Sequence, residues 1–322
     1  MAAREFLMVV IESAYKVAKT TPAAGTEAIY LRLDGSNSFA MRPKPIQTAV
    51  PYGGGVAINA FTVSDQIECK GQLQTKLYAS QAKFLLDWAA TRINTGQTVP
   101  WTTTEPAGDL ASCSVYHAIM RSDGTYKRRL YKGVKVNSGT IEISRDGKIA
   151  TLSLELQAST PEGNAFDSST DPNSTIFPAP AETAYPTDPY LFIHTAGNFT
   201  LGTSRTQFSS FKIAWTNAMD PRWFEFRFVN IHRFLGRSST LEADLYYKPS
   251  PDDRASFEGL TAQSLSLEMD NGVKSTTFTF NAQNVLQDLD DDLPLDKVYT
   301  QKIVVANYWD ASAAADWSVA VV

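Results

Sequence analysis

Ala150-Thr151-Leu152-Ser153-Leu154-Glu155-Leu156 places a large apolar side chain at every second position. A strand turns successive residues to opposite faces, so Leu152, Leu154 and Leu156 line one side and Thr151, Ser153 and Glu155 the other. The same period of two runs through Ser112 to Arg121, SCSVYHAIMR. Both read as half-buried strands. Asp123-Gly124, Asp146-Gly147 and Asn271-Gly272 each lie between such runs, and these dipeptides tolerate the positive φ of tight antiparallel hairpins. Antiparallel sheet is therefore expected to dominate.

Helical periodicity is the exception. Gln81 to Ile93 sets Leu85, Trp88 and Ala89 on one face, with Ser80 as a candidate cap and Asn94-Thr95-Gly96 as a stop. A shorter helix is expected from Ser250-Pro251-Asp252-Asp253, where proline takes the first helical position and acidic residues meet the positive end of the dipole. Gly259 ends it.

The chain has 322 residues, about twice a domain of roughly 150. Thr160 to Pro189 carries six prolines among Ser, Thr, Asp and Asn residues, with Phe166, Ile176 and Phe177 as apolar anchors. That composition predicts an ordered extended linker over 161–189 between domains at 1–160 and 190–322. The net charge of −5 divides unevenly: Lys and Arg against Asp and Glu stand at 18 to 13 over 1–160 and 11 to 21 over 161–322. Halves of +5 and −10 invite self-association. An acidic total argues against a protein whose main work is gripping nucleic acid, because phosphate neutralisation needs excess Lys and Arg.

The second half repeats the order of the first. Tyr30-Leu31 and Asn37-Ser38-Phe39 match Tyr190-Leu191 and Gly197-Asn198-Phe199. Leu73, Leu77 and Tyr78 match Leu241, Leu245 and Tyr246. Ile141 to Ile143, Asp146-Gly147 and Leu152 to Leu154 match Leu265 to Leu267, Asn271-Gly272 and Phe278 to Phe280. Internal duplication is the expectation.

No residues assemble into recognisable chemistry. His117, His194 and His232 lie far apart without metal-ligand spacing, and no G-x-S-x-G elbow is present. A hydrolase triad would have to recruit His117 or His232. Gly53-Gly54-Gly55 lacks the frame of a phosphate cradle and reads as a loop tip. Cys69 and Cys113 read as buried thiols. The segment Phe6 to Ile11 is bounded by Glu5 and Glu12, too short for a signal h-region or a membrane span. Asp288, Asp290, Asp291, Asp292 and Asp296 read as a solvated acidic loop, since a calcium site needs converging oxygens and a turning glycine. Lys127, Arg128, Arg129, Lys132 and Lys135 lie among Tyr126 and Tyr131. They suit a nucleic-acid strip, a solvated edge strand or a basic patch that meets an acidic neighbour. Alternation puts Lys127, Arg129, Tyr131 and Lys135 on one side and Arg128 and Lys132 on the other.

Several stretches resemble a known family. Arg4-Glu5-Phe6-Leu7-Met8-Val9-Val10 with Glu12, Tyr15 and Thr21-Pro22 resembles the first strand and loop of phage tail tube proteins. Gly71-Gln72-Leu73-Gln74-Thr75 followed by Ala79 to Ala89 is similar to that family's strand into a helix. Phe208 to Ile213, Asn217 and Leu235 to Leu241 resemble its later strands. Arg237-Ser238-Ser239 departs from the Thr-Gly more usual there, and Thr160 to Pro189 has no counterpart.

The resemblance implies a mainly β fold: two tandem antiparallel β-sandwich or barrel tail-tube domains, each with a flanking helix. It implies a non-catalytic virion protein of a long, non-contractile tail, without cofactor or metal, assembled in the bacterial cytoplasm. Homotrimeric rings with pseudo-sixfold symmetry would stack into a tube. The implied partners are other copies of the chain, a tape-measure protein in the lumen, tail terminator and baseplate or tail-tip proteins at the ends, and double-stranded DNA in passage. A baseplate hub, a tail terminator or a carbohydrate-binding β-sandwich is the alternative. The expected assembly residues are Pro43, Pro51, Tyr52, Gly53, Gly54 and Gly55 in an extended loop that reaches the adjacent ring, together with Lys127, Arg129, Asp290 and Asp292.

Overall fold

Alternation builds strands along most of the chain, and the pairings between the described strands, in hairpins and between distant segments alike, are antiparallel. The computed structural model describes residues 5–19, 21–24, 27–33, 37–51, 59–90, 101–104, 110–124, 126–144, 149–162, 185–186, 191, 199–205, 208–224, 229–246, 251–292, 300–307 and 317–321. The strands before residue 190 are β1 (Glu5–Ile11), β2 (Ala28–Arg32), β3 (Ser38–Pro51), β4 (Asn59–Lys76), β5 (Trp101–Thr104), β6 (Cys113–Met120), β7 (Tyr126–Ser144), β8 (Thr151–Ala158) and β9 (Thr160–Glu162). After it come β10 (Phe199–Leu201), β11 (Thr203–Arg205), β12 (Phe208–Arg222), β13 (Ile231–Tyr246), β14 (Gln263–Asp270), β15 (Ser275–Asp292), β16 (Thr300–Asn307) and β17 (Trp317–Val321). Two helices, α1 (Ala79–Ala90) and α2 (Pro251–Glu258), complete the described elements.

Eight strands form one continuous wall in the order β3, β4, β8, β7, β12, β13, β16, β15. Two further sheets branch from it. The first part of β7 joins β2, β1, β6 and β9. The first part of β15 joins β11, β10, β14, β17 and β5. β7, at 19 residues, and β15, at 18, therefore each cross from a branch sheet into the wall. Strands of ordinary length could not serve two sheets.

The main hydrophobic core runs through both halves, from Leu7 and Leu73 through Leu154 and Trp215 to Phe278 and Val305, with two small clusters around Tyr116 and Phe6 beside it. Helix α1 sits within it. Residues on nearly all sides of α1 are buried, including Phe84, Leu85, Leu86, Trp88 and Ala89, because the helix is covered by material from both halves rather than by one sheet. Trp88 donates its indole N–H to the Val134 carbonyl at 3.1 Å. The helix starts two residues before the expected Gln81. The Tyr78 carbonyl accepts from the amides of Gln81 and Ala82, so Ser80 lies in the first turn and not at the cap.

Three further local expectations change. Gly124 and Gly272 close their hairpins at φ 84° and 82°, as expected, while Asp146-Gly147 lies outside the described residues. In β7 the alternation does not carry through to Lys135. Two residues of β6, Cys113 and Val115, span Tyr131 to Val134, so β7 bulges at Lys132-Gly133 with Gly133 at φ 61°. Tyr131 and Lys135 are buried while Arg129 is exposed, and these side chains do not form one basic face. The acidic segment is not a loop up to Asp292: β15 continues through it. Of the expected linker, the described part is the end of β9 with Tyr185 and Pro186, and Tyr185 stacks under the Arg32 guanidinium at 4.6 Å. Phe166, Ile176 and Phe177 lie outside the described residues.

Where the two halves of the wall meet, Gly139 of β7 faces Trp215 of β12. The Trp215 indole occupies the space a β-carbon on Gly139 would need, so a side chain there overlaps the ring. We expect Gly139→Ala to destabilise the chain by about 1–3 kcal/mol, the range for overpacking a core. Trp215→Phe, with a shorter ring, relieves the overlap. In thermal denaturation, the double variant should melt no lower than Trp215→Phe alone; an additive loss would show that the two positions do not compete for space.

Candidate functional site

The wall has two unlike faces because each of its strands alternates. One face carries Leu73, Leu154, Ile141, Ile213, Leu241 and Ile303, all buried. The other carries Gln72, Glu155, Glu142, Lys212, Glu242 and Lys302, exposed or half-buried. Pairings connect these polar positions across the sheet: Gln72 opposite Glu155, Glu142 opposite Lys212, Lys212 opposite Glu242. Lys302 Nζ lies 3.5 Å from Glu242 Oε2. Opposite charges at facing positions stabilise the sheet modestly and leave the surface without a large field of one sign.

The seam between β7 and β12 is held on the buried face by side chains that finish helix α1. The last carbonyls of a helix have no partner within it. The Ala89 carbonyl accepts from the Trp215 indole N–H at 3.3 Å and from Asn217 Nδ2 at 3.0 Å. Asn217 Nδ2 also reaches the Val136 carbonyl at 3.0 Å, and Arg237 Nε donates to Asn217 Oδ1 at 2.7 Å. Asn217 is fully buried and bonded on both ends of its amide. The resemblance drew attention to Asn217, but nothing local in the sequence signals its partners.

The far end of the β12–β13 hairpin lies across the first half. A buried carboxylate organises its landing site. Glu12 accepts from the amides of Lys16 at 2.9 Å and Gly133 at 2.7 Å, and from the hydroxyls of Ser112 at 2.6 Å and Ser114 at 2.9 Å. This ties the end of β1 to β6 and to the β7 bulge, and fixes the turn that presents Tyr15 and Lys16. Tyr15 Oη meets His232 Nδ1 at 3.0 Å, and Lys16 Nζ donates to Asn230 Oδ1 at 3.2 Å. The Lys135 ammonium donates to the His232 carbonyl at 3.1 Å, the Ser159 hydroxyl bonds the Val229 carbonyl, and Trp223 Nε1 donates to the Ile67 carbonyl at 3.3 Å.

The groups that a catalytic reading would recruit are engaged in packing. His117 Nε2 meets Glu5 Oε1 at 2.6 Å and stands edge-on to Phe39. Burial lowers its pKa, partly offset by Glu5. Burial pushes the Cys69 thiol up to about 12 and that of Cys113 well above its usual value, which disfavours the nucleophilic thiolate in both. Among the described residues no group of His, Cys, Asp and Glu could hold a metal ion. Among the described residues no helix is long and apolar enough to cross a membrane.

The expected assembly residues are dispersed. Pro43 lies in β3 opposite Cys69, and Pro51 ends β3 opposite Asn59. Tyr52, Gly53, Gly54 and Gly55 lie outside the described residues. Lys127 and Arg129 face Ile119 and His117 in the branch sheet of β7. Asp290 and Asp292 face Lys302 and Thr300 in the wall. No described pairing within the chain joins the basic pair to the acidic pair.

The described residues make a β-rich, two-faced wall in which Cys69, Cys113, His117 and His232 are buried. A family model for phage tail tube protein, a class of structural proteins, matches residues 2–314, nearly the whole chain, and the protein is a member of that family. No curated protein matches it. The family is a structural one of the virion tail and not an enzyme family, and it implies self-assembly into a tube.

Burial in the landing site lowers the His232 pKa to about 3, with Lys135, Lys16 and Lys70 adding to the effect. In the unfolded chain the imidazole takes up its proton near 6.5. Stability is therefore full above pH 6.5 and is lost as pH falls toward 3, at up to about 1.4 kcal/mol per unit. Urea unfolding at pH 7 and pH 5 should show a smaller acid loss in His232→Gln than in the unaltered chain. Equal losses would remove His232 from the account.

Proposed function

We propose that the chain is a duplicated tube protomer, three copies of which close into a pseudo-hexameric ring of a long, non-contractile tail. Stacked rings enclose a channel occupied by a tape-measure protein before infection and crossed by double-stranded DNA during ejection, with terminator and tail-tip proteins at the ends. The observation that carries this reading is the repeated order of strand pairings on either side of the β7–β12 seam. β3, β4, β8, β7 is followed by β12, β13, β16, β15, with a helix between the two hairpins of each set. The branch sheets repeat too: β2, β1, β6, β7, β9 has its counterpart in β11, β10, β14, β15, β17.

This repeat differs from the one the sequence motifs suggest. Asn271-Gly272 joins β14 to β15 and so corresponds to Asp123-Gly124, not to Asp146-Gly147. Phe199 lies in β10, a counterpart of β1, whereas Phe39 lies in β3. Leu241 lies on the right strand but two positions from the place of Leu73. Gly turns and leucine alternation are common to all hairpins, so they select the wrong partners.

Three walls of eight strands supply 24 strands. With strands about 4.8 Å apart and tilted about 40°, such a barrel has a backbone diameter of about 50 Å, enough to pass a duplex. The polar face of the wall lines that channel and the α1 face lies outside. A lining of mixed charge gives DNA no continuous cationic track to grip. The reach of 43–55 to the adjacent ring is part of the same proposal.

In negative-stain microscopy at rising concentration, the purified chain should form three-lobed rings or hollow tubes. A persistent monomer would contradict the reading. Deleting Val50 to Gly55 should leave a folded protein that does not polymerise; tubes of normal length and yield would remove that segment from ring stacking.

A further inference from the structure

The wall has an open edge at each end. Among the described residues β3 pairs with β4 alone, and β15 beyond Asn284 pairs with β16 alone. An unpaired edge is a template for another strand. The counterparts of these edges within the chain, β12 and the wall part of β7, are paired with each other.

Irregularities in the pairing fix how the two halves align. β7 shifts register against β8 between Val136 and Ser138, and β15 shifts against β16 between Leu286 and Asp288. Asn137 thus corresponds to Gln287, and Ser138, Thr140 and Glu142 to Asp288, Asp290 and Asp292. On the other side, Met41 reaches Leu156 through Gly71, as Ile213 reaches Val305 through Leu241. Met41 thus corresponds to Ile213, and Lys44, Arg42 and Ala40 to Thr216, Ala214 and Lys212. The seam pairs Ser138 with Thr216, Thr140 with Ala214 and Glu142 with Lys212.

We propose that the β15 edge of one chain pairs antiparallel with the β3 edge of a second copy in the same register, Asp288 opposite Lys44, Asp290 opposite Arg42 and Asp292 opposite Ala40. This rests on the tube reading and specifies its contact between chains. Two observations beyond topology favour it. First, Arg42 and Lys44 are exposed on β3, and the register sets an aspartate against each of them. Facing opposite charges favour this partner, while the register follows from the alignment with the internal seam. Second, bulk is exchanged between the strands: Gly139 faces Trp215 at the internal seam, and Leu289 faces Pro43 at the proposed one. Repeating the contact three times closes the ring without a free edge, as a heterologous interface requires.

The test is a pair of engineered thiols in the assembled full chain. With Arg42→Cys and Asp290→Cys together, a short bis-maleimide should convert assembled protein to covalent dimer and trimer on a denaturing gel, with nothing larger. The control, Lys44→Cys with Asp292→Cys, holds its thiols four residues out of register and should give at least tenfold less. Rings or tubes that form without in-register crosslinking, or with equal crosslinking in the control, overturn the proposed seam and leave the tube reading standing. Failure of the unaltered chain to form any ring overturns both. If the thiol variant is folded by circular dichroism but does not assemble, charge exchange decides. Arg42→Asp and Asp290→Arg should each reduce assembly at least tenfold, and their combination should restore it; no restoration overturns the pairing.

Discussion

The seam between β7 and β12 is the contact on which the architecture depends. It joins two four-stranded sets into one wall, and it does so by giving Trp215 the space that Gly139 leaves open. The same indole, with Asn217, completes the carbonyl end of α1. Helix, seam and core are thus coupled: moving the indole would take one of two donors from the Ala89 carbonyl and cost the buried indole N–H its acceptor, a loss of the kind that costs about 1–3 kcal/mol. The main hydrophobic core then continues across both halves.

The long strands extend this constraint outward. β7 leaves its branch sheet at the Gly133 bulge, where Glu12 receives the Gly133 amide, and enters the wall beyond it. The buried carboxylate, the landing of the β12–β13 hairpin and the neutral His232 therefore belong to one arrangement that sets the angle between branch sheet and wall. A rigid wall with an apolar back and a mixed-charge front is what a conduit requires. Burial disfavours the thiolates of Cys69 and Cys113 and the protonated forms of His117 and His232.

Local patterns carried much of the fold into the sequence. Leu152 to Leu156, SCSVYHAIMR, the Asp-Gly and Asn-Gly turns and the helix around Trp88 all report on neighbours a few residues away, and strands, hairpins and helix follow them. Gly133 within a strand pattern is a bulge signal that the alternation of Lys127 to Lys135 overlooked. The aspartates of β15 read as a loop because their charge density masks the strand, and because the register shift between Leu286 and Asp288 breaks the period of two. The seam itself was out of reach. Gly139 and Trp215 are distant in the chain, and only register reveals that one makes room for the other. Register also reassigns the positions matched in the proposed internal repeat, since generic hairpin motifs match one another at several offsets.

The central claim is that the eight-stranded wall is a segment of a tube's inner surface. A helical reconstruction of assembled particles at side-chain resolution tests it most directly. The account predicts that β3, β4, β8, β7, β12, β13, β16 and β15 follow one another around the lumen, with Glu142, Lys212 and Lys302 pointing inward and α1 outside. A lumen lined by the branch sheets, or a wall turned with its polar face outward, would contradict it.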